Sequence, residues 1–194
     1  MIRRFFLTFI LPLACISLGG LFAFQQSKQP SLKSSQVIKN KNWIIPPKLD
    51  LSSSLLARAK IALTGLFALR EQEVLYAVAI KDDEGEVLNG KHTYQVSGKA
   101  LDAHYWSITL YDKNHFLVSN QAKCYNISRF DIKYDKAGNF SFFVSPQKQK
   151  QANHWLPSPQ DQPFNLLLRL YNPSPSIYQN ISKVDLPSIT KIKE

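Results

Sequence analysis

A mainly β protein is predicted, an antiparallel β-sandwich or jelly-roll-like domain with one N-terminal packing helix, preceded by a transmembrane helix. Three features of the chain predict it. An uncharged apolar run fills Phe5 to Phe24, one stretch of helical period follows at Leu55 to Leu69, and short alternating segments broken by turn residues occupy the rest.

The leader begins Met1-Ile-Arg-Arg and continues for 20 residues without a charge. At about 1.5 Å per residue such a run matches the ~30 Å hydrocarbon layer of a bilayer. A cleaved signal peptide would need small residues at the cut, and Leu21-Phe22-Ala23 puts a large one there. A lipoprotein signal would use Cys15, yet Pro12 stands where Leu is usual and the apolar run continues past the cysteine. An uncleaved signal anchor over residues 1–24 fits best. Charge counting alone does not orient it, because Lys28, Lys33, Lys39 and Lys41 follow the run as Arg3 and Arg4 precede it. The arginines abut the apolar run and the lysines are diluted, which favours the N-terminus inside and the domain outside.

Residues 25–48 are rich in Ser, Lys, Gln and Pro and read as a polar tether. The β-rich domain is expected over 49–194. Ser52 to Ser54 offer capping oxygens to the helix at Leu55–Leu69, whose Leu56, Ala59, Leu63, Leu66 and Phe67 form one apolar stripe. Strands are expected at Glu73–Lys81, His92–Val96, Tyr105–Tyr111, Phe116–Val118, Phe130–Tyr134, Phe140–Val144 and Phe164–Tyr171. In Tyr105–Tyr111 the residues Trp106, Ile108 and Leu110 alternate with Tyr105, Ser107, Thr109 and Tyr111, giving one apolar and one polar face. Turns are read at Asp82–Gly85, Asp112–Asn114 and Asp135–Asn139, the last closing a hairpin.

The formal charge is +10, and removing Arg3 and Arg4 leaves +8 for the remainder. The lysines are scattered and no basic block interleaves with aromatics, so nucleic acid is not expected as a partner; an anionic lipid surface is the simpler one. Cys15 lies in the leader and Cys124 alone in the domain, which excludes a disulfide within the domain. His92, His104, His115 and His154 are dispersed, so no metal site is expected, and nothing calls for a cofactor. There is no G-x-S-x-G elbow and no Gly-rich phosphate loop, and Asp82, Asp83 and Glu84 read as one solvated turn rather than as paired catalytic acids.

Several segments resemble one bacterial family. They are Asp102-Ala-His-Tyr-Trp-Ser-Ile-Thr-Leu-Tyr-Asp112, Phe116-Leu-Val, Cys124-Tyr-Asn-Ile-Ser128, Asn153-His-Trp-Leu-Pro-Ser-Pro159 and Phe164-Asn-Leu-Leu-Leu-Arg-Leu-Tyr-Asn-Pro173. In order and content they are similar to domain of unknown function 1214, over residues 43 to 190. The short anchored form of that family resembles the whole chain. The resemblance implies a membrane-attached protein of the bacterial cell envelope and a companion of the domain of unknown function 1254 type; together with the leader and its flanking charges, the expectation is a single pass in the inner membrane with the C-terminal domain in the periplasm. It supplies no reaction.

The residues singled out as a candidate ligand-binding set are Tyr105, Tyr111, Arg169 and Tyr171 on polar strand faces, with Tyr125, Asn126, Arg129 and Trp155 in loops. Aromatic faces suit sugars or apolar chains, and an Arg fork suits carboxylate or phosphate. The structural alternative puts Trp106 and Trp155 in the sandwich core and Arg169 on loop carbonyls. Two functions follow: a non-catalytic interaction module working with a companion protein, or an envelope enzyme or binder for a glycan or lipid-like ligand.

Overall fold

The structure, a computed structural model, describes residues 6–28, 37–46, 69–149 and 152–192. The helix expected at Leu55–Leu69 lies, but for Leu69, outside the described residues.

The N-terminal segment is helical. One π-turn (Phe6–Ile10) leads into α1 (Leu11–Lys28). Pro12 accounts for the widened first turn, since it has no N–H for the Thr8 carbonyl and its ring crowds that carbonyl. Leu13, Ile16, Leu18, Leu21 and Phe22 are all exposed and point in every direction around the axis. Between them, Ser17 Oγ is satisfied within the helix on Leu13 O at 2.9 Å. α1 is long and apolar enough to cross a membrane.

Among the described residues of the β-domain, ten strands form two sheets. They are β1 (Ile38–Asn40), β2 (Trp43–Ile45), β3 (Val74–Ala79), β4 (Tyr94–Lys99), β5 (Ala103–Asp112), β6 (Asn126–Ser128), β7 (Asn139–Ser145), β8 (Trp155–Pro157), β9 (Phe164–Pro173) and β10 (Ser188–Lys191). The larger sheet runs β1-β2-β3-β9-β5-β6 and is antiparallel throughout; the smaller runs β10-β4-β7-β8, with β7 and β8 parallel. Short helix α2 (Pro175–Gln179) and a 3-10 turn (Ile181–Lys183) join β9 to β10. The mainly β, two-sheet architecture is therefore the one the alternation predicts.

The core lies between the sheets. Trp106 of β5 is fully buried and stacks on Phe140 of β7 at 4.9 Å, so one side-chain pair ties the sheets together. Trp43 is equally buried and donates Nε1–H to Pro187 O at 2.6 Å. The amide of Asn40 donates to Ile181 O and Val184 O, and the ammonium of Lys41 reaches Asp185 and Leu186 O. The β1–β2 hairpin thus holds the C-terminal segment by its backbone carbonyls.

Three expectations change here. Residues 38–45 lie within the stretch read as tether, yet they form two strands, because Ile38, Trp43 and Ile45 flank a Lys41-Asn42 turn and bury against the sheet. Phe130–Tyr134 is not a strand: Ser128 turns the chain through a hydrogen bond to Asp131, and Phe130 is 79% exposed. Phe116–Val118 makes only the isolated bridge from Leu117 to Tyr111.

The three aspartate turns share one geometry. In Asp82–Glu86, Asp112–Phe116 and Asp135–Asn139 the first residue donates its N–H to the fifth carbonyl, and its carboxylate accepts from the third and fifth amides. The fourth residue has positive φ: Gly85 at 88°, Gly138 at 77° and His115 at 65°. Hydrogen bonds from the Asn139 side chain and amides hold the Asp135 carboxyl below its ordinary range. This turn therefore keeps its anchor at neutral pH and loosens as acid protonates it. His115 sits where glycine is favoured, so His115→Gly is expected to stabilise the domain by about 1 kcal/mol, raising Tm by ~2–4 °C in thermal unfolding.

Gly90 is required for a different reason. A Cβ there would meet Pro159 O at 1.6 Å and Pro159 C at 2.8 Å, both backbone. Gly90→Ala is expected to cost about 2–3 kcal/mol in chemical denaturation as the 159–161 loop is driven off.

Candidate functional site

On β5 and β9, residues directly opposite each other share a face. Trp106, Ile108 and Leu110 pair with Leu170, Leu168 and Leu166, and all six are buried in the core. The outer face carries the pairs Tyr105–Tyr171, Ser107–Arg169, Thr109–Leu167 and Tyr111–Asn165.

On this face Arg169 leans along β5. Its Nη1 donates to Thr109 Oγ1 at 2.8 Å and its Nη2 to Tyr111 Oη at 2.7 Å, with the guanidinium carbon 5.6 Å from the Tyr111 ring centroid. Arg169 and Tyr111 are half-buried and Thr109 is buried. Asn126 of β6 stands beside Thr109 in the same row. One row away, Tyr105 touches Tyr171 and Phe130, each with centroids 5.7 Å apart. The face thus has a cationic, hydroxyl-lined part and an aromatic part.

The remaining candidates sit elsewhere. Arg129 Nη1 donates to Ala103 O and His104 O at 2.7 and 2.6 Å, covering carbonyls of β5 beyond the reach of short β6. Its role is to close a sheet edge, and it also lies over the Phe130 ring. Tyr125 is half-buried, and its carbonyl accepts from Leu110 N. Trp155 belongs to the smaller sheet, where it donates to Ser145 O at 2.9 Å while its neighbour Leu156 enters the core. Of the eight candidates, Tyr105, Tyr111, Asn126, Arg169 and Tyr171 therefore share one face, and Trp155 does not. Of the two tryptophans considered for the core, Trp106 occupies it. Arg129 binds strand carbonyls of β5, whereas Arg169 binds hydroxyls and not loop carbonyls.

Thr109 and Phe130 lie outside the set that sequence reasoning singles out. Thr109 is open to discovery from its position on the polar face of its strand. Phe130 carries no such signal, because its exposure depends on the Ser128–Asp131 turn.

Cys124 Sγ lies 3.7 Å from Trp155 O and 3.6 Å from Asn126 O. Burial, and then the negative charge of Asp131, push its thiol up, so at neutral pH it is protonated and weakly nucleophilic. Among the described residues no cluster of His, Cys, Asp or Glu could hold a metal ion. A cavity of about 630 Å³ opens beside the β1–β2 turn, lined by Lys39, Lys41, Lys81, Asp82 and Ser188 among others, and shares no residue with the outer face described above.

The model of one family, described as Protein of unknown function (DUF1214), matches residues 73–175, just over half of the chain. The chain belongs to that family. The matched DUF1214 segment runs from β3 into α2 and contains the whole outer face of β5 and β9. It is narrower than the span of 43 to 190 suggested by the motifs, leaving out β1, β2 and β10. The fold is similar to that of the VPA0106 protein from Vibrio parahaemolyticus, at 22% identity and a TM-score of 0.62, over 91% of this chain and 43% of that one. An uncharacterised protein from Burkholderia cenocepacia matches at 11% identity and a TM-score of 0.49, over 77% of this chain and 35% of that one. This DUF1214 chain thus spans less than half the length of either structure. No curated protein matches it.

Proposed function

We propose that this DUF1214 chain is a non-catalytic binding module held by α1 at the bacterial inner membrane, with its β-domain in the periplasm, working with a companion protein of the domain of unknown function 1254 type. The observation that carries the reading is α1 itself, apolar on all sides with no polar stripe to lay on a protein surface. The domain then presents the aromatic and arginine side chains typical of binding surfaces, Phe130, Tyr105, Tyr171 and Arg169, on one sheet face. VPA0106 supports a partner in trans, because it holds this fold within a chain more than twice as long. Affinity capture of the full chain from solubilised membranes tests the proposal. A stoichiometric companion is expected, and a solitary monomer under every mild detergent would refute it.

A second reading, a binder or enzyme for a glycan or lipid-like ligand, draws on the Arg169–Tyr111–Thr109 cluster. Arg169→Ala or Tyr111→Phe, with the fold retained, would then change ligand retention; unchanged retention in both removes this reading.

A further inference from the structure

We propose that Arg169, Tyr111 and Thr109 form a binding site for a small oxyanion, a carboxylate or a phosphate. A guanidinium has five N–H donors and no acceptor. Those of Arg169 that bond within the described residues go to two neutral hydroxyls, Thr109 Oγ1 and Tyr111 Oη. Each hydroxyl accepts from Arg169 and keeps its own proton to donate. Remaining guanidinium N–H groups and two polarised O–H groups therefore gather on one part of the face, all of them donors.

No charge stands directly across the strands from them among the described residues. The cross-strand neighbours of this patch are Tyr76, Ser107, Leu167, Asn165 and Asn126, every one neutral. The ion pairs found among the described residues, Lys41–Asp185 and Lys91–Asp161, involve neither Arg169 nor these neighbours. A permanent cation half withdrawn from water, oriented by hydroxyls and without a carboxylate partner among the described residues, is the arrangement that takes up an anion through charge-assisted hydrogen bonds. The formal charge of +10 favours its approach. Arg129 differs in its partners: its Nη1 donates to two backbone carbonyls, those of Ala103 and His104.

The site deepens the second reading above and does not depend on companion capture, so failure of one leaves the other standing. The test is thermal unfolding of the full chain in an uncharged detergent, with inorganic phosphate or acetate replacing chloride at constant ionic strength. A parallel arm uses nanodiscs with and without phosphatidylglycerol. At about ten times the dissociation constant, Tm should rise by ~3 °C. The rise should vanish in Arg169→Gln and weaken in Tyr111→Phe and Thr109→Val, which keep side-chain shape if the arginine variant folds poorly. A rise with phosphate or acetate assigns a free oxyanion, and one confined to phosphatidylglycerol assigns a headgroup. No rise over chloride up to about 100 mM and none from phosphatidylglycerol, or equal rises in all variants, overturns the proposal.

Discussion

Trp106→Ala is expected to lower the stability of the β-domain by about 3–5 kcal/mol, against the ~5–15 kcal/mol that holds a typical domain folded. The indole is completely buried at the centre of β5, opposite Leu170, and stacked on Phe140 of the smaller sheet. Alanine removes most of that volume where two rigid sheets face each other. Neither sheet can close the gap without breaking its own hydrogen bonds, so the cavity persists and its cost adds to the lost burial. Urea or guanidinium titration of the full chain reads the effect as a fall in midpoint. A loss below about 1 kcal/mol would mean that Trp106 does not bridge the sheets.

Leu18→Arg is expected to have the next largest effect, on membrane insertion. Leu18 lies near the middle of the uncharged window Thr8–Gln25. An arginine at the centre of a spanning helix costs about 2.5–3.5 kcal/mol on insertion scales, and the leucine contribution is lost as well. Such a change moves an insertion equilibrium by a factor of roughly 100 or more. Quantified after an alkaline carbonate wash, the variant should pass largely to the soluble fraction while the parent stays with the membranes. Equal retention of both would show that α1 is not the attachment.

The sequence shows most clearly those features that local chemistry determines. The three aspartate turns are visible because one carboxylate anchors each of them within five positions, with a glycine at the positive-φ position in two. The leader is visible because a bilayer imposes length and composition on a single segment. Features set by distant contacts are harder to see. β1 and β2 have three residues each, and their strand character comes from pairing with each other, from the pairing of β2 with β3 and from burial of Trp43. β8, of three residues, and β10, of four, exist because β7 and β4 offer them edges. Phe130 reads as part of a strand because its neighbours alternate, whereas the Ser128–Asp131 hydrogen bonds turn the chain there.

The candidate site divides in the same way. Alternation along β5 and β9 puts Tyr105, Tyr111, Arg169 and Tyr171 on polar faces, and pairing of the two strands brings those faces together. No alternation rule tells which sheet a three-residue strand joins, and Trp155 sits on the other one. Nor does the sequence distinguish the roles of the two arginines. Arg129 binds carbonyls that a short neighbouring strand leaves bare, and Arg169 is oriented by hydroxyls on its own face.

The proposed role requires a β-domain attached to a membrane and lying outside the cytoplasm. Protease treatment of intact spheroplasts carrying the full chain with a C-terminal epitope, followed by carbonate extraction, addresses both parts at once. The predicted result is loss of the epitope on protease addition, with the untreated chain remaining in the carbonate pellet. An epitope protected until the spheroplasts are lysed, or a chain released by carbonate, would contradict it.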